Sequence, residues 1–131
     1  MPTERRRYIE SGAAYFTTSV THKREALLAS PRVADFLVSS IRYHKYIFDY
    51  KVYGYVVMPN HLHLLLQPEG EFTISKVMNH LKGTFARKVN QVLRREEPVW
   101  QKSFHDHVCR SEKEVLDRLR YMHQNPVEEG L

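Results

Sequence analysis

The segment at residues 55–66 constrains the fold more than any other part of the chain. Two runs of β-forming residues flank a turn at Met58-Pro59-Asn60, which predicts an antiparallel hairpin. Alternate side chains of a strand share a face, so His61 and His63 stand side by side on one face of the second run. The opposite face carries only aliphatic side chains, namely Leu62, Leu64 and Leu66. This aliphatic face predicts a strand that is buried on one side and presents two imidazoles on the other.

The two histidines are spaced closely enough to bind one metal ion. Residues i and i+2 of a strand lie about 7 Å apart, and two imidazole rings can reach one divalent cation across that distance. Two half-buried histidines that hydrogen-bond to the backbone or to water fit the same pattern. The pair alone leaves both interpretations open.

The size and charge of the chain limit the classes of protein to which it can belong. Its 131 residues, 42% of them hydrophobic, suit one compact domain that spans residues 1–131. Twenty Lys and Arg against fifteen Asp and Glu give a formal net charge of +5 and a pI near 9.4. This excess of positive charge is compatible with a polyanionic partner.

Cysteine content and the N-terminus indicate a compartment. The single Cys109 excludes an intramolecular disulfide framework, fits a reducing cytoplasm and, with no second cysteine, argues against a thiolate zinc site. The basic N-terminus with Arg5, Arg6 and Arg7 is a solvated arm or a phosphate contact, and no long apolar run follows it. We therefore expect a soluble cytoplasmic protein without a membrane span, associated with the nucleoid if it binds DNA.

Strand and helix signals alternate along the first three quarters of the chain. Residues 13–20 predict a strand, and Ser30 followed by Pro31 predicts the start of a helix that ends near residues 43–46. Residues 47–57 then predict the strand that enters the hairpin, in which Gly54 indicates a bulge or a close backbone approach. Thr73 caps a second, long helix, whose predicted buried stripe is Ile74, Val77, Met78, Leu81, Phe85, Val89 and Val92.

The last quarter predicts a fourth strand at residues 100–109 and a third helix. The helix begins with the capping box of Ser111 and Glu114, and Pro126 with Gly130 ends it. Tyr121 stands off its predicted buried stripe, which is Val115, Leu116, Leu119 and Met122. The order of elements predicts an α+β fold of the ferredoxin-like type. This is a four-stranded antiparallel sheet with two helices on one face and the C-terminal, tyrosine-bearing helix on the other.

Two groups of polar residues permit more than one interpretation. The side of the second helix opposite its apolar stripe is either an ordinary solvated face or a surface that contacts the DNA backbone. His105 and His107 share a face of the fourth strand, and they join His61 and His63 at a metal, orient groups around it, or are simply half exposed. The basic residues predicted on the polar side of the second helix are Lys76, Lys82, Arg87, Lys88, Arg94 and Arg95.

Three stretches of the chain resemble one family. Residues 57–65 are similar to the histidine-hydrophobe-histidine core of the small HUH single-strand transposases, particularly the REP-associated tyrosine transposases. Residues 100–107 and 120–127 resemble two later blocks of the same family, in the same order. The resemblance covers nearly the whole chain.

The resemblance implies an activity and its residues. Tyr121 would be the nucleophile that cleaves single-stranded DNA through a 5′-phosphotyrosine intermediate, and Mg²⁺ or Mn²⁺ would be held by His61, His63 and Asn125. Of the two ions we expect Mn²⁺ to bind more tightly, because it accepts imidazole more readily. The partner would be hairpin-forming single-stranded DNA, contacted by Lys76, Lys82, Arg87, Lys88 and Arg120. The protein would act as a monomer or a homodimer.

Two other functions fit parts of the sequence. A non-catalytic single-strand-binding module would use Tyr15, Tyr53, Tyr55 and the basic helix, and it would need no metal. A metal-dependent phosphodiesterase that uses water would cut DNA without forming a protein adduct. The chain also carries Glu128-Glu129 where relatives commonly have a basic residue, so that one DNA contact of the family is not expected here.

Overall fold

The structure is a computed structural model that describes residues 13–128, with side chains described as far as residue 124. Arg5, Arg6 and Arg7, as well as Gly130, lie outside the described residues. Two short 3₁₀ turns at His22–Arg24 and Leu27–Ala29 precede the first helix. The strands are β1 (Ala14–Val20), β2 (Tyr50–Met58), β3 (His61–Pro68) and β4 (His105–Cys109), and the helices are α1 (Pro31–Phe48), α2 (Ile74–Leu93) and α3 (Glu112–Glu128).

The four strands form one antiparallel sheet in the order β2-β3-β1-β4. This order is that of the ferredoxin-like fold and confirms the predicted fold class. The predicted hairpin joins β2 to β3 through Pro59 and Asn60. The backbone carbonyl of Asn60 accepts a hydrogen bond from the N–H of Thr21 at 2.9 Å, which ties the turn to the end of β1. Within residues 13–128, none of the helices has the length and apolar character that crossing a membrane requires.

The sheet separates two hydrophobic clusters. The larger cluster contains Leu62, Leu64 and Leu66 of β3 together with the apolar stripe of α1 and that of α2 from Ile74 to Val89, whereas Val92, which was predicted in that stripe, lies outside the cluster. The smaller cluster lies on the opposite face, where Leu65 packs with Phe16 and with Met122 of α3. Helices α1 and α2 are capped at their starts as predicted. Ser30 Oγ accepts a hydrogen bond from Val33 N, and Thr73 Oγ1 accepts one from Lys76 N. The alternation of β3 therefore sends Leu62, Leu64 and Leu66 to one side of the sheet, and His61, His63 and Leu65 to the other.

Gly54 allows α3 to lie close to the sheet. The register between β2 and β3 shifts between Val52 and Gly54, which is the predicted bulge. A Cβ atom built on Gly54 would lie 2.8 Å from Leu119 Cδ2, closer than van der Waals contact permits. The absent side chain thus makes room for Leu119 and brings the following turn of α3, which carries Tyr121, against the sheet.

Gly54→Val should therefore lower the free energy of unfolding by about 2 kcal/mol, because the added side chain has to displace Leu119. Gly83→Ala is the matched control. A Cβ at Gly83 of α2 would meet Arg87 Nη1 at an ordinary 3.5 Å, so this change should raise the free energy of unfolding by about 0.5–1 kcal/mol. Urea titrations measure both values. A Gly54→Val variant as stable as the parent would show that α3 does not depend on this approach.

Three element boundaries were predicted wrongly. Strand β2 starts at Tyr50 and not at residue 47, because α1 still includes Ile47 and Phe48. Helix α1 does not end near residues 43–46 but continues to Phe48, because buried His44 and Phe48 extend its apolar stripe and Asp49 ends it in the left-handed conformation at φ 53°. The fourth strand starts at His105 and not at residue 100, since Trp100 makes only an isolated bridge to Thr21 before the chain leaves the sheet.

The third helix also differs from its prediction. Ser111 caps it as expected, with Glu114 N donating to Ser111 Oγ at 3.2 Å. Leu116 is 46% exposed and does not belong to the buried stripe, because the contact face of α3 is narrow. The helix includes Pro126 and is described as far as Glu128, so its predicted end at Pro126 with Gly130 falls at the edge of the described residues.

Candidate active site

The two histidines of β3 are adjacent, with ring centroids 4.8 Å apart. His61 Nδ1 lies 2.8 Å from Asn60 Oδ1, and this amide oxygen can only accept, so the ring proton is on Nδ1 and the lone pair is on Nε2. His63 Nδ1 lies 3.0 Å from Thr18 Oγ1. Metal-binding histidines are commonly oriented by a hydrogen bond at the other ring nitrogen. Asn60 and Thr18 supply that kind of support here.

His63 is buried, and its environment keeps it uncharged. Burial, and to a smaller extent the neighbouring His61, lower the pKa of His63 to about 4. The ring is therefore neutral at pH 7 and retains a lone pair for a cation. Two imidazoles on one face form a donor set that suits a divalent metal ion.

Helix α3 brings Tyr121 to the same place. The Tyr121 ring centroid lies 6.2 Å from that of His63 and 5.9 Å from that of Phe16, which itself stacks on His63 at 5.2 Å. Tyr121 is 43% exposed, so a substrate can reach it. The structure thus brings together His61, His63 and Tyr121, which the sequence separates by almost sixty positions.

Arg118 joins this group, although the sequence analysis did not single it out. Its guanidinium carbon lies 5.0 Å from the centroid of the Phe16 ring and 5.9 Å from that of Tyr121. It also lines, with Tyr121 and His107, a cavity of about 270 Å³. Its position three residues before Tyr121, on the same side of a helix, was the signal that could have identified it.

Asn125, the third predicted metal ligand, lies in α3 one turn beyond Tyr121. Its side chain is outside the part of the structure that is described. Its assignment as a metal ligand therefore stays a prediction.

His105 and His107 do not stand beside His61 and His63. The central strand β1 separates the two pairs, with Thr18 paired to His63 on one side and to His105 on the other. The pairs thus stand on strands about 10 Å apart, too far for all four rings to share one metal ion. His107 instead lines the cavity beside Tyr121.

The predicted DNA-binding residues of α2 fall into two groups. Lys76, Arg87 and Lys88 are exposed, on the side of the sheet opposite to Tyr121. Lys82 was wrongly assigned to this solvent face. It is 6% exposed and its Nζ lies 5.4 Å from the centroid of the Trp100 ring. Its Nζ also lies 5.5 Å from the centroid of the Phe104 ring, and burial lowers its pKa to about 8.

Arg120 and the tyrosines of the binding-module hypothesis differ in accessibility. Arg120 is exposed on α3, where its Nη1 lies 3.8 Å from Asp117 Oδ1. Tyr15 is completely buried, so it cannot stack on a base. Tyr53 and Tyr55 are both exposed, but they lie on opposite faces of the sheet. Tyr53 donates a hydrogen bond to Gln67, which is on the histidine face of β3, whereas Tyr55 pairs with Leu64, which is on the other face. The three tyrosines do not form a common stacking surface.

Comparisons with known proteins find transposases among the relatives of this chain. The family model described as "Transposase IS200 like" matches residues 10–125. A REP-associated tyrosine transposase of Escherichia coli strain K12 is 28% identical over 131 residues, which cover 99% of this chain and 75% of that protein. A Haemophilus influenzae protein with the provisional name REP-associated tyrosine transposase is 27% identical over 135 residues, covering 95% of this chain and 76% of that protein.

One solved structure covers the same extent of the chain. It is that of a REP-associated tyrosine transposase bound to a REP hairpin, and it superposes with a TM-score of 0.78 at 27% identity. The match covers 99% of this chain and 75% of that one. The chain therefore belongs to the IS200-like transposase family, a family of HUH-type DNA-cleaving enzymes, and the REP-associated tyrosine transposases are among its relatives.

Proposed function

We propose that the protein is a metal-dependent endonuclease and strand transferase that cuts single-stranded DNA through a 5′-phosphotyrosine on Tyr121. The observation that carries this proposal is the approach of the Tyr121 ring to within 6.2 Å of His63, whose ring lies 4.8 Å from that of His61. A nucleophile and a pair of metal-binding side chains thus face the same space.

Tyr121 supplies the oxygen that replaces the leaving group. A phenol with an ordinary pKa of about 10 is a weak nucleophile at neutral pH, so it needs an activated phosphate. In the proposed step the Tyr121 oxygen forms a bond to phosphorus and loses its proton, while the bond from phosphorus to the 3′ oxygen breaks and that oxygen becomes a 3′-hydroxyl. The bond energy is retained in the phosphotyrosine. Attack by another 3′-hydroxyl can therefore rejoin the DNA without ATP.

The metal would be held by the Nε2 atoms of His61 and His63 and by the Asn125 amide oxygen. When bound, Mg²⁺ or Mn²⁺ polarises a non-bridging oxygen of the scissile phosphate and offsets its charge. Asn60 and Thr18 keep the two rings oriented toward that position. Because two of the ligands are imidazoles, Mn²⁺ should bind more tightly than Mg²⁺.

Arg118 supplies positive charge beside the nucleophile. Its guanidinium lies over the Phe16 and Tyr121 rings and borders the cavity that contains the exposed edge of Tyr121. A planar guanidinium binds phosphate oxygens with two parallel hydrogen bonds. We assign Arg118 the role of holding the scissile phosphate against the Tyr121 oxygen.

The proposed substrate is single-stranded DNA that forms a hairpin, as the relative bound to a REP hairpin suggests. Lys76, Arg87 and Lys88 would contact DNA on the far side of the sheet from Tyr121, so the strand has to pass around the protein or two DNA segments have to bind. Arg120 lies on the tyrosine helix and would contact DNA near the cut. The protein would meet its substrate in the nucleoid, as a monomer or a homodimer.

The salt dependence of DNA affinity tests the basic surface. Arg87→Ala with Lys88→Ala should reduce the slope of log Kd against log salt by about 1.4, since each contact to a single strand contributes about 0.7. Lys82→Met is the control, because this buried lysine should contact no phosphate. Fluorescence anisotropy with a labelled hairpin measures the slopes. Equal slopes for the double variant and the parent would remove this surface from the DNA path.

Adduct formation separates the proposed function from its alternatives. The protein is incubated with Mn²⁺ and labelled single-stranded hairpins, then denatured and separated by size. A tyrosine transferase gives a protein–DNA adduct whose label stays on the protein after denaturation. Addition of EDTA to the incubation should prevent formation of this adduct. Cleavage without labelled protein would indicate a water-using phosphodiesterase, and binding without cleavage would indicate a binding module.

A further inference from the structure

Among residues 13–128, three metal-binding side chains converge where β4 meets α3. The ligand atoms of His107, Cys109 and Glu114 all lie within 4.8 Å of one another. His107 and Cys109 share a face of β4 because they are two residues apart, and Glu114 stands in the first turn of α3. Glu114 Oε2 accepts a hydrogen bond from Arg110 N at 3.1 Å, which holds the carboxylate at this junction.

This group is separate from the histidines of the proposed nuclease centre. Strand β1 lies between β3, which carries His61 and His63, and β4, which carries His107 and Cys109. Phe16 of β1 pairs with His107 of β4 on one side and with Leu65 of β3 on the other. Cys109 is buried with Phe16 and Met122, whereas His107 is exposed. An ion can therefore approach from the solvent side and meet a thiol at the inner end.

The spacing suits a tetrahedral ion after a small adjustment. Bonds of about 2.0 Å to nitrogen or oxygen and about 2.3 Å to sulfur place neighbouring ligand atoms about 3.5 Å apart. Closing the observed group onto an ion requires movements of about 1 Å. Rotations of the His107 and Glu114 side chains, which are not fully buried, can supply them. The cavity of about 270 Å³ lined by His107 and Glu114 leaves room for a water molecule in the fourth position.

We propose that His107, Cys109 and Glu114 form a zinc site that links β4 to the first turn of the tyrosine helix. A thiolate, an imidazole and a carboxylate are the donors that Zn²⁺ takes in proteins, whereas Mg²⁺ and Mn²⁺ favour oxygen. The sequence argued against a thiolate zinc site because it contains one cysteine, but the fold adds two other ligands to that cysteine. Bound zinc fixes the start of α3 to the sheet and so restricts the position of Tyr121.

Cobalt is the probe for this site, because a thiolate bound to Co²⁺ gives sulfur-to-metal charge-transfer absorption that imidazole and oxygen ligands do not give. The parent and the His61→Ala/His63→Ala variant should both show this absorption, and Zn²⁺ should displace it. His107→Ala and Glu114→Gln should each weaken Co²⁺ binding about tenfold or more. Glutamine keeps the acceptor for Arg110 N, so the second variant tests the charge without removing that hydrogen bond.

His105→Ala is the matched control, since this exposed histidine lies on the same face of β4 but outside the group, and it should bind Co²⁺ like the parent. Zn²⁺ should also raise the melting temperature of the parent and of His105→Ala, but not that of Glu114→Gln. Absence of the charge-transfer absorption in the folded parent overturns the proposal. Equal losses of Co²⁺ affinity in His105→Ala and His107→Ala would overturn the proposal as well. Adduct formation on DNA is a separate readout, so failure here leaves the nuclease proposal to its own test.

Discussion

Tyr121→Phe is expected to bind Mn²⁺ and a single-stranded hairpin as tightly as the parent and to form no covalent adduct. Phenylalanine keeps the ring that packs near Phe16 and His63 and removes only the oxygen that attacks phosphorus. The rate of cleavage should fall by about 10⁴-fold or more, which is the scale of losing a covalent nucleophile. Denaturing gels of labelled DNA follow both the cut strand and the adduct.

Tyr53→Phe is the matched control for this change. Tyr53 is exposed on the same face of the sheet and donates a hydrogen bond to Gln67, but it lies outside the Tyr121 group. The control should cut DNA like the parent. If Tyr121→Phe still cuts DNA, Tyr121 is not the nucleophile, even though the chain belongs to the transposase family.

His61→Ala should abolish cleavage and weaken Mn²⁺ binding by about 100-fold or more, because it removes one of the two imidazoles proposed to hold the ion. DNA affinity should change little, since the basic side chains proposed to contact DNA are left intact. His63→Ala should have the same effect on cleavage, with some loss of stability because this ring is buried against Phe16. Calorimetric titration with Mn²⁺ measures metal affinity, and circular dichroism checks the fold.

Thr18→Val separates a metal role from a packing role for His63. Valine has nearly the same shape as threonine but cannot bond His63 Nδ1, so Mn²⁺ affinity should fall about 10–100-fold. His105→Ala, on the other side of β1, should leave Mn²⁺ affinity unchanged. Unchanged affinity in both His61→Ala and His63→Ala would remove these residues from the metal site.

The alternation of β3 was sufficient to predict the position of the central histidines. A period-two pattern fixes which side chains share a face, and a register shift of one residue would have exposed Leu62, Leu64 and Leu66. Capping residues identified the starts of all three helices, because the hydrogen bonds of a helix cap join residues that are close in the sequence. The resemblance to a family then brought Tyr121 into the site, which spacing alone could not do.

Other features depended on contacts between distant parts of the chain. Lys82 looked like part of a solvated face, but Trp100 covers it from eighteen residues away, with its Nε1 donating to the Lys82 carbonyl at 3.2 Å. The separation of His105 and His107 from the other histidines depends on the strand order, which places β1 between them. The roles proposed for Arg118 and Cys109 depend on the packing of α3 against the sheet, which a local sequence pattern does not reveal.

The site of covalent attachment tests the central claim most directly. The parent is incubated with Mn²⁺ and a single-stranded hairpin, the DNA is trimmed with nuclease, and the protein is digested with trypsin. Cleavage after Arg120 gives a peptide that begins at Tyr121, and Tyr121 is the only tyrosine among residues 121–131. Mass spectrometry should find the 5′-linked nucleotide on this peptide, and EDTA in the incubation should remove the signal. A nucleotide on any other peptide, or cut DNA with no modified peptide, would contradict the central claim.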